Sequence, residues 1–343
     1  MTPIRHQLAL NENFSLHLPG VQDALRQSLE DVNLTGDPFS RGLVAALAEH
    51  LDVTPRQVAA GPGSAALLLQ LLGALASDGA EVVHAWPSFD MYPPLVQAAG
   101  GTPVPVPLKD FGHDLDAMAA AVTPRTRLVL LCNPNNPTGT VLGEAELKEF
   151  LGRLPSRVLV VVDEAYLDFA DRGTAADAVD LFRGDPRVIA VRTFSKSYGL
   201  LGLRVGYLVA DESVVAALAP TSLFLRVSTP AQAAARAALS AQAVMRRQCA
   251  ELGRERERVH RALTALGYRV PASAANFHWL PLGEDNARFV AFCADHGVAV
   301  REIAGAGVRV TVGTPEANDE LIRLAGMFAS DTASGAVRAG RRQ

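Results

Sequence analysis

Three of the 32 lysine and arginine residues are lysines, and one of them lies in a context suited to covalent chemistry. Lys196 follows the apolar run Val188–Val191 and precedes a glycine-rich turn that ends in Arg204. A lysine amine can condense with a carbonyl group to form a Schiff base, whereas the guanidinium of arginine stays protonated and cannot. Lys109 and Lys148 lie in proline-rich and glutamate-rich surroundings and are expected to be solvated charges. Lys196 is therefore the candidate nucleophile.

Other polar side chains follow predicted strands in the same way. Asn136 comes after the apolar run 128–132, and Asp163 ends the run 158–162. Tyr166 lies three residues further on. Because the C-terminal ends of parallel strands meet at one edge of an open sheet, these side chains and the candidate lysine are expected to converge there.

This set of groups matches what a pyridoxal phosphate cofactor requires. A carboxylate such as Asp163 keeps the pyridine nitrogen protonated, so that the ring can act as an electron sink. Asn136 and Tyr166 supply hydrogen-bond donors for the ring oxygen. A helix predicted to start after Gly63 offers backbone amides and a helix dipole to the phosphate, and Arg204 can pair with it. The sequence therefore predicts a pyridoxal phosphate site.

Three motifs together resemble a known family, the class I and II (fold-type I) pyridoxal-phosphate-dependent aminotransferases. They are Asn136-Pro137-Thr138-Gly139, Asp163-Glu164-Ala165-Tyr166, and Ser195-Lys196 with Gly202-Leu203-Arg204-Val205-Gly206. The similarity is greatest to the histidinol-phosphate and aromatic amino acid aminotransferase branch. It implies an α/β fold with two parts. A mostly parallel central sheet between helices forms a large domain, and a smaller α+β domain accompanies it.

The resemblance also implies a role for individual residues. Lys196, Asp163 and Tyr166 correspond to the catalytic residues. The cofactor is expected to contact Gly63, Ser64, Ala65, Phe89, Asn136, Asp163, Tyr166, Thr193, Ser195, Lys196 and Arg204. Phe89 matches the aromatic residue that stacks on the cofactor ring. The substrate is expected to contact Asn11, Arg301 and Arg309, and Arg309 corresponds to the arginine that grips the substrate carboxylate.

Short apolar runs that alternate with helical segments must position these residues. Continuous rather than alternating apolar runs are typical of strands that are buried on both faces of a parallel sheet. The predicted strands are Glu81–Ala85, Thr102–Val106, Leu128–Cys132, Val158–Val162, Val188–Val191 and Val205–Val209. Near Pro230 the pattern changes to a long helical stretch towards Leu266, and short strands and one helix follow.

These patterns predict four parts of the chain. Residues 1–38 form an N-terminal segment that joins the small domain, and residues 39–232 form the large cofactor-binding domain. Residues 233–329 form the small C-terminal domain. The last part, residues 330–343, is expected to be a flexible tail because it lacks apolar periodicity.

Composition excludes several other classes of function. A formal net charge of −4 gives no electrostatic case for a nucleic acid or membrane partner. The three widely spaced cysteines suit neither a disulfide framework nor a zinc site, and they favour a reducing compartment. No metal site is expected. A cytoplasmic protein is predicted, and the resemblance implies a homodimer that acts on small amino acids and 2-oxo acids.

The choice of substrate rests on fewer residues. The stretch Trp86–Tyr92 is rich in aromatic side chains, which favours transamination of an aromatic amino acid, as in amino acid biosynthesis, with an acceptor such as 2-oxoglutarate. Thr35 stands where relatives usually carry a tyrosine that reaches the neighbouring subunit's cofactor, and Arg226 adds a charge near the expected substrate. The alternatives are histidinol phosphate as the substrate, another α-carbon reaction such as decarboxylation, and a non-enzymatic cofactor-binding regulator.

Overall fold

The computed structural model describes residues 3–14, 17–303 and 305–340, which form twelve α-helices and twelve β-strands. The helices are α1 Val21–Ser28, α2 Arg41–Leu51, α3 Ser64–Leu75, α4 Tyr92–Ala98, α5 Leu115–Ala120, α6 Glu144–Arg153, α7 Ala178–Gly184, α8 Glu212–Ala217, α9 Thr229–Ser240, α10 Gln242–Ala265, α11 Asn286–Asp295 and α12 Pro315–Gly340. The strands are β1 His6–Gln7, β2 Val58–Gly61, β3 Glu81–Trp86, β4 Thr102–Pro107, β5 Thr126–Cys132, β6 Leu159–Asp163, β7 Val188–Thr193, β8 Gly206–Val209, β9 Phe277–Leu280, β10 Val298–Ala299, β11 Arg301–Ile303 and β12 Gly307–Thr311.

The largest sheet contains seven strands in the order β2-β8-β7-β6-β5-β3-β4. Strands β4, β3, β5, β6 and β7 run parallel to one another, whereas β8 is antiparallel to both of its neighbours. The prediction of a mostly parallel central sheet is therefore confirmed. All six predicted strands are present with small shifts at their ends. Strand β2 was not predicted, because its four residues are too few to show a periodic pattern.

Side chains from both faces of this sheet are buried under helices. Along β6, Val160 and Val162 belong to one apolar cluster with Phe150 of α6, while Val161 belongs to a second cluster with Leu67 of α3. Successive side chains of a strand point to opposite faces, so each face acquires its own core. This explains why the strands appear in the sequence as continuous apolar runs.

A separate group of strands and helices follows in the C-terminal part of the chain. Strands β11, β12 and β9 form an antiparallel sheet, and a third apolar cluster joins this sheet to α10, α11 and α12. The N-terminal strand β1 pairs with β10 in parallel, with His6 opposite Val298. The beginning of the chain is thus hydrogen-bonded to its C-terminal part.

Three local features differ from the sequence-based expectations. The single helical stretch expected from 230 to 266 is divided into α9 and α10 at Ala241, and one of the short strands expected after it, β10, contains only Val298 and Ala299. A loose tail was expected from residue 330, but the backbone remains helical as far as Gly340, in a segment that contains alanines and no proline. Residues 341–343 lie outside the described residues. No described helix has the length and hydrophobicity needed to cross a membrane.

Candidate active site

The C-terminal ends of β5, β6 and β7 open onto one cavity of about 360 Å³. Its lining includes almost all of the site residues predicted from the sequence, namely Asn11, Ser64, Ala65, Phe89, Asn136, Asp163, Tyr166, Thr193, Ser195, Lys196, Arg204, Arg301 and Arg309. The exception is Gly63, which lies against Arg204: a Cβ atom at this position would be 2.6 Å from the guanidinium Nη2. The parallel order of the three strands brings these distant parts of the sequence together.

Lys196 lies in the turn after β7, and its side chain is half-buried in the cavity wall. Its Nζ donates hydrogen bonds to the backbone oxygens of Asn11 at 3.1 Å and Leu10 at 3.4 Å. Burial, together with the positive charges of Arg309 and Arg204, lowers the pKa of the amine to about 8. A much larger fraction of this lysine is therefore neutral and nucleophilic near pH 7 than for a solvated lysine.

Asp163 is the last residue of β6, and it is only 4% exposed. Its carboxylate accepts hydrogen bonds from the backbone N–H of Ala165 at 3.2 Å and the hydroxyl of Tyr92 at 3.3 Å. Burial raises its pKa to about 6. Within the described ranges no lysine, arginine or histidine forms an ion pair with this carboxylate. It is thus suited to receive a cationic group from a bound molecule.

Asn136 and Tyr166 each hold a hydrogen bond with a substrate-binding candidate. The Asn136 side-chain oxygen accepts from Arg309 Nη1 at 2.7 Å, and the Tyr166 hydroxyl oxygen accepts from Asn11 Nδ2 at 2.8 Å. The Tyr166 ring also packs edge-to-face against Phe277, with centroids 5.0 Å apart. Burial raises the pKa of Tyr166 to about 12, so the hydroxyl keeps its proton and can donate a hydrogen bond at neutral pH.

Another part of the cavity is suited to an anion. Helix α3 begins there at Ser64, and Arg204 Nη1 donates to the Ser195 hydroxyl at 3.2 Å. The hydroxyl groups of Ser195 and Thr193 lie 2.9 Å apart. The backbone approaches closely at Gly206, where a Cβ atom would be 2.7 Å from the Ser64 nitrogen. Backbone amides, hydroxyls and a guanidinium therefore face the same space, as binding of a phosphate requires.

Two arginines lie opposite each other on neighbouring strands, Arg309 on β12 and Arg301 on β11. Arg309 is only 7% exposed, and its Nη2 donates to the Ala9 backbone oxygen at 2.7 Å. Its Nε has no hydrogen-bond partner among the described residues. Arg301 instead forms an ion pair with Asp90. Arg309 is thus a buried guanidinium that can still bind a carboxylate, whereas Arg301 already has one.

The aromatic stretch is only partly used in the way that was expected. Phe89 lines the cavity and contacts Tyr92 edge-to-face, with centroids 5.4 Å apart. Tyr92 is fully buried and gives its hydroxyl to Asp163, and neither it nor Trp86 lines the cavity. Of the aromatic side chains in the stretch Trp86–Tyr92, Phe89 is therefore the one that lines the cavity.

Several cavity residues were not identified from the sequence. They are Leu10, Asp90, Met91, Cys132, Ala165 and Leu201. Cys132 is the last residue of β5, so the rule that ligands bind at strand ends could have indicated it. Arg226, expected near the substrate, does not line the cavity and donates to the Ser222 hydroxyl at 2.7 Å. Thr35 is exposed and also lies outside the cavity lining.

Three observations fit pyridoxal phosphate as the molecule that this cavity binds. Asp163 is a buried carboxylate without a cation in the described part of the chain. The space beside Ser64 and Arg204 is suited to a phosphate, and it requires a glycine at position 63. Lys196 lies in the same cavity with an amine of lowered pKa. The cavity thus offers a complementary group to three parts of the cofactor: a carboxylate to the ring nitrogen, cationic and N–H donors to the phosphate, and an amine to the aldehyde.

Comparisons with known proteins agree with this chemistry. The model of the family "Aminotransferase class I and II" matches residues 5–324. The aromatic amino acid aminotransferase of Rhodococcus jostii is 48% identical over 335 residues, which cover 97% of this chain and 93% of that protein. The corresponding protein of Thermobifida fusca is 49% identical over 319 residues, covering 93% and 89%.

Solved structures show the same architecture. A crystal structure of histidinol-phosphate aminotransferase from Sinorhizobium meliloti, in complex with pyridoxal-5'-phosphate, matches with a TM-score of 0.89 and 30% sequence identity. The match covers 96% of this chain and 92% of that chain. The similarity therefore extends over nearly the full length of both proteins.

Proposed function

The chain belongs to the class I and II aminotransferase family, and we propose that this pyridoxal-phosphate-dependent enzyme transfers the amino group of an aromatic amino acid to a 2-oxo acid. One observation carries the substrate proposal. Three arginines line the cavity: Arg204 lies at the proposed phosphate site, Arg301 is paired with Asp90, and Arg309 has no carboxylate partner among the described residues. An apolar wall of Leu10, Phe89 and Met91 lines the same cavity. This arrangement suits a molecule with one carboxylate and one apolar ring.

We propose that the cofactor is held by the residues that the sequence analysis assigned to it. Asp163 would face the ring nitrogen, and Asn136 and Tyr166 would face the ring oxygen. Phe89 would cover one face of the ring. The phosphate would lie among Gly63, Ser64, Ala65, Thr193, Ser195 and Arg204. When bound, the cofactor supplies an electron sink that stabilises negative charge at the substrate α-carbon.

The remaining steps belong to side chains of this chain. Lys196 Nζ would remove the α-proton of the substrate and return it at the neighbouring cofactor carbon, a role that its lowered pKa supports. Arg309 would bind the α-carboxylate with the donors that Asn136 and Ala9 leave free. Holding the carboxylate fixes the α-carbon within reach of the lysine amine, which lowers the entropic part of the barrier.

Histidinol phosphate is the second candidate substrate, because the Sinorhizobium meliloti structure carries that name. Its phosphate would require a strongly positive subsite apart from the cofactor phosphate. Histidinol phosphate has no carboxylate, so Arg309 would be available for its phosphate, whereas the neighbouring Arg301 already pairs with Asp90. The single positive charge of Arg309 favours a monoanionic carboxylate over a phosphate dianion. Decarboxylation is separated from transamination by the product, because only transamination yields an oxo acid in stoichiometric amount.

The visible absorbance of the purified enzyme tests the substrate proposal. Phenylalanine, tyrosine, histidinol phosphate and glutamate are each added alone, and the cofactor band is followed. We expect phenylalanine or tyrosine to bleach the band and a 2-oxo acid such as 2-oxoglutarate to restore it. Bleaching by histidinol phosphate alone would transfer the assignment to that substrate. A band that no donor converts would contradict transamination of any of these compounds.

We further propose that the enzyme is a homodimer. Large apolar side chains that are between 46% and 78% exposed form an apolar surface made of Leu29, Val32, Leu34, Phe39, Leu223, Phe224 and Leu225. Its two segments are in contact, because the rings of Phe39 and Phe224 are 5.6 Å apart and the Leu225 N–H donates to the Pro38 oxygen. An exposed apolar patch of this kind is typical of a subunit interface.

Light scattering during size-exclusion chromatography tests the dimer. The wild type is expected at twice the mass of one chain, and the double variant Leu223→Glu/Phe224→Glu is expected at the mass of a monomer. A monomeric wild type would contradict the proposal.

We also propose a cytoplasmic location, which the three buried free cysteines support because thiols persist in a reducing compartment.

A further inference from the structure

Three side chains form a row of hydrogen bonds that leads to the cavity, which two of them, Asn11 and Tyr166, line. Thr311 lies two residues after Arg309 on β12, so both side chains point to the same side of the strand. The Thr311 hydroxyl donates to Asn11 Oδ1 at 3.1 Å, and Asn11 Nδ2 donates to the Tyr166 hydroxyl oxygen at 2.8 Å. Asn11 and Thr311 are each 1% exposed, and Tyr166 is 4% exposed. Water therefore has little access to these hydrogen bonds.

The direction of each hydrogen bond follows from the available donors and acceptors. The Thr311 hydroxyl oxygen already accepts from the Asn11 backbone N–H at 3.0 Å, and its own hydrogen points to Asn11 Oδ1. A reversed Asn11 side-chain amide would direct Nδ2 at the Thr311 oxygen that already accepts from the Asn11 backbone N–H, and it would leave the buried Thr311 hydrogen without an acceptor in the described residues. The orientation with Nδ2 towards Tyr166 is therefore favoured.

This orientation determines what the Tyr166 hydroxyl can do. Its oxygen accepts from Asn11, so its hydrogen must be donated elsewhere. No other hydrogen-bond partner of this hydroxyl is present in the part of the chain that the structure describes, and Tyr166 lines the cavity. The hydrogen is thus free for a bound molecule.

We propose that Thr311 and Asn11 are positioning residues that fix the Tyr166 hydroxyl as a hydrogen-bond donor into the cavity. The inference rests on the proposed role of Tyr166 opposite the cofactor ring oxygen. It changes the expected role of Asn11, which acts through Tyr166 rather than by contact with the substrate. An isolated phenol hydroxyl can either donate or accept a hydrogen bond. The hydrogen bonds from Thr311 through Asn11 to Tyr166, here called the relay, remove this choice before the cofactor binds.

The matched pair Thr311→Val and Thr311→Ser tests the relay without a change of charge. With pyridoxal phosphate bound, the pH midpoint of its visible absorbance change is measured. Loss of a donor makes the ring oxygen more basic, so the midpoint rises. We expect Tyr166→Phe to raise the midpoint by about one pH unit and Thr311→Val by roughly half a unit. Thr311→Ser keeps the hydroxyl and is expected to titrate like the wild type.

Asn11→Asp tests the same point in the opposite direction. A carboxylate at this position accepts from Tyr166 and draws its hydrogen away from the cavity. The added charge could also raise the midpoint by itself, so the change is repeated in the Tyr166→Phe background. We expect a rise of about one pH unit in the wild-type background and a clearly smaller rise in the Tyr166→Phe background. Equal rises in both backgrounds would contradict the relay.

The outcomes separate the relay from the proposed role of Tyr166. A Tyr166→Phe variant with an unchanged midpoint shows that Tyr166 does not donate to the ring oxygen, and the relay then has no function. If the midpoint of Tyr166→Phe is raised but that of Thr311→Val equals the wild-type value, the relay is overturned while the role of Tyr166 stands. Circular dichroism and the dissociation constant of pyridoxal phosphate confirm that each variant is folded and loaded. The proposal requires the threonine hydroxyl to affect the spectrum although Thr311 does not line the cavity.

Discussion

Asp163 and Glu164 are consecutive acidic residues with almost equal burial, 4% and 3% exposed, yet they belong to different regions of the molecule. The Asp163 carboxylate lines the cavity and accepts from the Tyr92 hydroxyl and a backbone N–H. The Glu164 carboxylate forms an ion pair with Arg192 at 2.7 Å and accepts from the Ala178 N–H at 2.6 Å. Only Glu164 has a positive partner among the described residues.

Burial raises the pKa of both groups, to about 6 for Asp163 and about 7 for Glu164. A raised pKa and a buried carboxylate therefore do not distinguish a functional site from a structural one. The difference lies in the counter-charge. In the network of Glu164, Arg192 and Asp177 each charge has a partner within the protein. In the cavity, Asp163 and Arg309 are hydrogen-bonded but have no partner of opposite charge in the described chain, so these charges are available to a ligand.

The largest loss of activity is expected from removal of the side chain that would itself accept and donate the substrate proton. Lys196→Ala should lower transamination of phenylalanine by more than about 10³-fold, because no other lysine lies in the cavity. The protein should remain as stable as the wild type, since a partly buried charge is removed. Lys148→Ala is the control, because Lys148 is exposed and pairs with Glu144 at 2.6 Å. Near-normal turnover by Lys196→Ala without added amine would contradict the proposed role.

Asp163→Asn should separate activity from stability. We expect activity to fall by about 10²-fold or more, because a neutral amide cannot favour a protonated ring nitrogen. The cofactor-free protein should become more stable at pH 8, by on the order of 2 kcal/mol in the free energy of unfolding. The amide oxygen still accepts from the Ala165 N–H, and the amide nitrogen can donate to the Tyr92 hydroxyl oxygen instead of accepting from it, while the buried charge is removed. Activity assays and urea unfolding of the cofactor-free protein measure the two quantities.

The pH dependence gives this prediction its control. The pKa of Asp163 is raised in the folded protein, so the wild type loses stability from this group as the pH rises from about 4 to about 6. Below about pH 4 the carboxyl is protonated in both the folded and the unfolded state. The advantage of Asp163→Asn should therefore be present above pH 6 and absent below pH 4. A gain that is equal at both ends of this range would have another cause.

Arg192→Met should show the opposite behaviour in the structural region. It leaves Glu164 buried without its cation, which should destabilise the protein by about 3–5 kcal/mol at pH 8. The loss should shrink as the pH falls and Glu164 becomes protonated. The double variant Glu164→Gln/Arg192→Met leaves neither charge of this pair buried and should recover most of the stability. Each folded molecule should keep most of its activity, because Arg192 does not line the cavity. A stable Arg192→Met would contradict the assignment.

The sequence allowed the sheet and the residues at its strand ends to be predicted for the same physical reason. Strands buried on both faces must be continuously apolar, so a polar residue directly after such a run, such as Asp163, stands out. The parallel order then brings strand ends to one edge, which places Asn136, Asp163 and Lys196 in one cavity. This reasoning uses only local patterns and one rule of topology.

The remaining features depend on contacts between segments that are far apart in the sequence. Asp90 and Arg301 are 211 positions apart, and Asn11 and Thr311 are 300 positions apart. Nothing in the local pattern of either segment indicates its partner. The contact of Tyr92 with Asp163 was missed because a tyrosine inside an aromatic stretch indicates apolar packing as well as it indicates a hydrogen bond. Such contacts become visible only when the packing of helices and strands is known.

The smallest effect should come from the ion pair of Asp90 and Arg301, which lies between the two cases compared above. As in the pair of Glu164 and Arg192, both charges have a partner within the protein, but Asp90 and Arg301 line the cavity, and their side chains are 31% and 42% exposed. Solvent screening limits what such a pair contributes, so Asp90→Asn should change KM values by no more than about five-fold. The direction is informative, because the released Arg301 would favour a second carboxylate. We expect a lower KM for 2-oxoglutarate and an unchanged KM for phenylpyruvate, measured side by side. An equal change for both acceptors would show that Asp90 affects the fold of the cavity rather than the charge that Arg301 presents.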